Sequence, residues 1–128
     1  MRVLVDTHTL LWFLTADSRL SERARELIST ADNEVLVSIA TLWEIAIKAS
    51  LGRIDLGSTF AEFVTEQVEN NGFSVLPIAV EHLARLAELP FHHRDPFDRL
   101  LVAQALAEGI PLISADGSFR DYDVKLLW

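Results

Sequence analysis

At 128 residues the chain has the length of one domain with a core of its own. Half of it is hydrophobic and its mean hydropathy is +0.24, enough apolar surface to supply a subunit interface, while the absence of cysteine excludes disulfides, thiolate metal sites and cysteine nucleophiles. A net charge of −8 argues against a sequence-reading DNA-binding module built on lysine and arginine, and confines any nucleic-acid role to a local site.

No run approaches the roughly eighteen apolar residues of a membrane span, and Asp6 and His8 interrupt any leader-like stretch, so a cytoplasmic protein is expected. Residues 2–5 read as a strand covered on both faces. Asp6 follows at its carboxyl end, the edge where open α/β sheets bind ligands. Thr7 or Thr9 opens a helix carrying Leu10, Leu11, Trp12, Phe13 and Leu14. Ser21 caps a second helix to about residue 30, with Ala24, Leu27 and Ile28 inward and its charges forming a wetted face. An Asp32-Asn33 turn leads to a second strand at 35–37.

Ser38 or Thr41 begins a nearly all-apolar helix that stops at Gly52. Glu44 and Lys48 stand one turn apart on it, and a carboxylate set between Trp43 and Ile45 is expected to be half buried and to want a cation. A more polar helix covers 59–71, with Phe60, Phe63, Val64 and Val68 inward, and a third strand covers 73–77. The short helix at 80–89 points Leu83, Leu86 and Ala87 at the core, and Pro90 stops it. In the loop after it, His92 and His93 are neighbours, which rarely point the same way, and no thiolate supports them, so no metal role is assigned to them, nor to His8 or His82.

Asp95 and Pro96 are a helix cap and a first helical residue, and Gly109 ends the helix they start. Asp95 therefore reads as a cap and not a ligand. Asp98 lies three residues on, on the same face of the first turn, and is the site candidate. Residues 111–114 form a fourth strand, Asp116 follows in an Asp-Gly turn, Phe119 and Tyr122 pin the loop, and 124–128 adds an edge strand. Strands alternating with helices predict one domain over 1–128 of three-layer α/β/α class, with a central, mostly parallel sheet of four to five strands.

In such a sheet Asp6 and Asp116 share one edge, and Asp98 opens toward it from a helix N-terminus. Four carboxylates counting Glu44 would repel unless some were protonated or a cation sat among them, and oxygen donors of this kind suit Mg²⁺, with Mn²⁺ as the second choice. Such ions support phosphodiester hydrolysis.

The ordered set Val5-Asp6-Thr7, Trp43-Glu44-Ile45, the run from Asp98-Arg99-Leu100 to Ala105, and Ser114-Ala115-Asp116 resembles PIN-domain ribonucleases over essentially the whole chain. The nearer resemblance is to the VapC toxins of type II toxin–antitoxin pairs. It implies a Mg²⁺-dependent endoribonuclease with Asp6, Glu44 and Asp98 in the metal-binding core and Asp116 completing it. It also implies a homodimer, a VapB-like antitoxin that blocks the cleft, and a structured RNA substrate of the tRNA or rRNA class. Arg94 and Arg99 are candidate contacts to RNA phosphate, although Arg99 could equally pair with a neighbouring acid.

Rival readings remain. Phosphatases of the haloacid-dehalogenase type need a second Asp two positions after the first, where this chain has His8, and a receiver domain needs a late strand-end lysine that is missing. A catalytically silent acidic module that holds a basic peptide stays open.

Overall fold

A computed structural model describes residues 1–128. Its strands are β1 Arg2–Val5, β2 Glu34–Ser38, β3 Ser74–Leu76, β4 Leu112–Ile113 and β5 Leu126–Leu127. The helices are α1 Thr7–Leu14, α2 Glu22–Ser29, α3 Ile39–Ser50, α4 Phe60–Phe63, α5 Val80–Glu88 and α6 Pro96–Glu108. All five strands pair in parallel, in the order β3-β2-β1-β4-β5. The chain thus builds outward from β1 to β3, then crosses back to add β4 and β5 on the other side of β1. That reversal opens a crevice at the carboxyl ends of β1 and β4.

Alternation along the strands splits the core in two. Val3, Val5, Val35, Val37 and Ile113 pack with α1, α2 and Phe63 of α4, whereas Leu4, Leu36 and Leu112 pack with α6 and with Phe119 and Tyr122. α3 feeds both layers, through Ala40 on one side and Leu42 and Ile45 on the other. Burial is continuous from Arg99 to Ala105, so α6 is enclosed on all sides instead of presenting one wet face.

Two helices depart from expectation. Beyond Phe63 the helix at 59–71 widens into a π-helical segment, Val64–Glu69, in which the Asn70 N–H donates to the Thr65 carbonyl five residues back. Phe63 and Val68, both buried, are five residues apart; an α-helix would turn them about 140° from each other, and the wider turn brings them to one face. In α5 it is His82 that is buried, while Leu83 and Ala87 are exposed and Leu86 is only partly covered. The N-cap residue of α5 is Ala79, which has no side-chain acceptor, so His82 Nδ1 turns inward to accept the Ala79 N–H at 2.9 Å, and its Nε2 meets Glu108 at 3.0 Å. The helix is rotated to suit its one polar anchor.

Candidate metal centre

Asp6 ends β1 and caps α1. One carboxylate oxygen accepts the Thr9 N–H at 2.8 Å and the other accepts the Ser114 hydroxyl, which arrives from the end of β4. Two strands that are neighbours only because of the sheet's reversal are thereby tied at their carboxyl ends. Asp6 is 5% exposed, and burial outweighs these hydrogen bonds and pushes its carboxyl above the usual carboxylate range. Ser114 also accepts the Asp116 N–H at 3.0 Å, so a single hydroxyl orders two of the site's acids.

Asp98 stands in the first turn of α6, behind Asp95. The Asp95 carboxylate accepts the N–H groups of Phe97 and Asp98 at 2.9 and 3.1 Å, as a cap does. Burial, followed by the nearby charges of Asp95 and Asp6, pushes Asp98 up to about 6 against the opposing pull of His93. His93 Nε2 lies 2.9 Å from Asp98 Oδ2. Because its Nδ1 accepts the Arg94 backbone N–H at 3.1 Å, the ring proton is on Nε2 and is donated to Asp98.

Asp116 is exposed and caps the 3-10 turn Gly117–Asp121, accepting the Ser118 N–H at 2.9 Å. What desolvation it suffers would raise its carboxyl, but the Ser118 hydrogen bonding and the nearby His93 and His8 hold it below the usual range. The ligand atoms of His93, Asp98 and Asp116 lie within 4.8 Å of one another.

Glu44 joins from α3. Its Oε1 accepts the Thr7 hydroxyl at 2.7 Å, one residue from Asp6, and its Oε2 pairs with Lys48 at 3.0 Å, leaving the side chain 13% exposed. An edge-on contact of Trp43 with Phe97, 5.0 Å between ring centres, braces this part of α3 against the first turn of α6. Asp98 and Asp116 are thus brought together with His93, Asp6 sits alongside, and Glu44 reaches the group through Thr7.

Arg99 is a correction. It is 8% exposed, donates to the Leu89 carbonyl at 3.1 Å and lies under the Phe91 ring at 4.4 Å, so it holds the loop before α6, makes no ion pair with an acid and offers little surface to a phosphate. Burial of α6 on all sides carries it inward. Arg94 is exposed beside His93. His92 turns away, its ring 5.1 Å from that of Tyr122. Three residues went unassigned in the sequence. Thr7 and Ser114 were legible only as hydroxyls beside strand-end acids, and His93 carried no signal that separated it from His92.

Residues 3–125 match the family model for the PIN domain. Over 122 residues the chain is 30% identical to Ribonuclease VapC22 of Mycobacterium tuberculosis, covering 94% of this chain and 91% of that protein. Two solved structures share its fold. One is VapBC2 from Rickettsia felis bound to a DNA fragment from their promoter, with a TM-score of 0.70 and 14% identity over 99% of this chain and 98% of that one. The other is FitAcB from Neisseria gonorrhoeae, with a TM-score of 0.69 and 18% identity over 98% and 96%.

Proposed function

This chain belongs to the PIN-domain family and stands with its VapC members, and on that premise we propose that it is a divalent-cation-dependent endoribonuclease, the toxin of a toxin–antitoxin pair. The observation that carries the reading is the meeting of Asp98 and Asp116 with His93 beside the buried Asp6.

The donor set fits a hard cation. Its oxygens come from carboxylates, and Asp98, pushed up to about 6 by burial first and by the neighbouring acids Asp95 and Asp6 after it, is a group that a cation would hold ionised. Asp6, Glu44, Asp98 and Asp116 would hold Mg²⁺ or Mn²⁺. When bound, the cation supplies a more acidic water and neutralises charge building on the cleaved phosphodiester. The chain's own residues supply order: Ser114 and the first turn of α1 fix Asp6, His93 holds one oxygen of Asp98 and leaves the other free, and Asp116 stays open to solvent where substrate arrives. Arg94, exposed on the loop before α6, is suited to an RNA phosphate.

Two surfaces suit the expected partners. A groove of about 580 Å³ between α1 and the segment from Ile54 to Phe63, walled by Leu11, Trp12, Leu56 and Phe63, fits an amphipathic segment of a VapB-like antitoxin. Ile39, Trp43, Ile47 and Leu51 form an exposed stripe along one side of α3, at the spacing of a helix–helix contact between two copies.

Structured RNA of the tRNA or rRNA class, incubated with the protein and Mg²⁺ or Mn²⁺, should be cut at restricted sites, and both EDTA and Asp98→Asn should abolish the cuts. The pairing of Glu44 with Lys48 favours a second reading, an acidic binding module whose charges need no metal. Equal cutting by wild type, variant and chelated protein would mark the activity as contamination and leave that module as the better account.

A further inference from the structure

Two recesses adjoin at Asp116, sharing Ala115 and Asp116 in their walls. The smaller, about 290 Å³, holds Asp6, His8, Trp12 and Arg19 and belongs to the acidic side. The larger, about 450 Å³, is walled by Arg23 from α2, Arg120 from the 3-10 turn, Leu126 from β5 and Trp128 just beyond it. The proposed reaction gives it no part.

Two cations meet in it, in a chain that carries nineteen Asp and Glu against eleven Lys and Arg. Arg23 and Arg120 make no ion pair within 4.0 Å, although Glu22 and Asp121 are their sequence neighbours. Arg23 also occupies the first turn of α2, where the helix dipole favours an acid and works against a cation. Two exposed, unpaired guanidinium groups that line one recess, opposite an apolar and aromatic wall, offer what a nucleotide requires: forked donors for its phosphate and a flat surface for its base or ribose.

We infer that this recess is a substrate subsite, in which Arg23 and Arg120 hold an RNA phosphate flanking the cleaved bond while Leu126 and Trp128 receive the attached nucleoside. The strand then runs across Asp116 from a cationic recess to an acidic one, and this polarity places the bond to be cut at the acidic cluster. The assignment rests on the ribonuclease reading, and it replaces the solvated-face account of Arg23.

The test uses a fluorescein-labelled, mixed-sequence single-stranded RNA with protein carrying Asp98→Asn, so that nothing is cut, with and without Arg23→Ala and Arg120→Ala together. Loss of two phosphate contacts should weaken binding by about tenfold or more at low salt and reduce the slope of log affinity against log salt by about 1.4. Arg23→Lys with Arg120→Lys should restore most of the slope, since the charge returns without the fork. In protein that retains Asp98, the alanine pair should raise KM far more than it lowers kcat. Unchanged affinity and slope overturn the subsite and leave the ribonuclease reading standing, whereas failure of every protein to bind RNA overturns both. Should the alanine pair abolish binding of poly-glutamate but leave RNA binding intact, the recess docks an acidic protein segment and the inference is wrong.

Discussion

Two aspartates of one cluster are displaced in opposite directions, and the cause is local. Asp98 is desolvated next to other acids and sits at about 6, while Asp116 meets less burial, the Ser118 N–H and two histidines, and lies low. An acid raised on folding, here from an unfolded value near 3.8, contributes stability that is complete only below that value, where both states are protonated. In the metal-free protein this contribution erodes as pH climbs from about 4 to 6 and is absent above. Asp98→Asn should therefore make the chelated protein more stable at pH 7 by about 1–2 kcal/mol, after discounting for partial solvent access, with no gain below pH 4. Urea unfolding at several pH values measures the difference. Mg²⁺ should raise the melting temperature of wild type and not of this variant. His93 acts through Asp98: His93→Ala should weaken Mn²⁺ binding, followed by the free-ion EPR signal, by about 10–100-fold, and His93→Gln, which keeps an N–H near the same place, should recover most of it. None of this was visible beforehand in His92-His93, because loop backbone decides which ring turns inward, whereas Asp95-Pro96 announced its cap through residue types that suit no other position.

Elements with strong punctuation were legible and those with weak punctuation were not. α6 lies between an Asp-Pro start and Gly109, whose φ of 67° is the left-handed conformation of a helix stop, and both ends fall where the sequence predicts. α5 has no such cap, and its apolar residues suggested the wrong inward face. His82→Leu should cost about 1–3 kcal/mol in denaturant unfolding, an unusual sign for a buried polar-to-apolar change, because the Ala79 N–H and the Glu108 carboxylate lose their partner. The π-helical turn between Phe63 and Val68 was equally hidden, since the widening is imposed by the sheet those residues must cover.

Across the whole molecule, alternating strands and helices foretold a parallel sheet but not its order, and it is the order that makes the site. With β1 between β2 and β4, residues 6 and 114 become neighbours across more than a hundred positions of chain. The uncovered stripe on α3 makes a prediction at this scale for the proposed homodimer: wild type should weigh as a dimer in light scattering and Trp43→Glu as a monomer, and an equal mass for the two would overturn this contact. The double duty of Asp6, capping α1 with one oxygen and receiving Ser114 with the other, also has an evolutionary reading. A lineage released from selection for cleavage could discard Asp98 or Asp116 at little expense to its architecture, yet loss of Asp6 would unfasten a helix from a strand. Decayed descendants should accordingly keep their first aspartate as a fossil of the chemistry, long after the others have drifted.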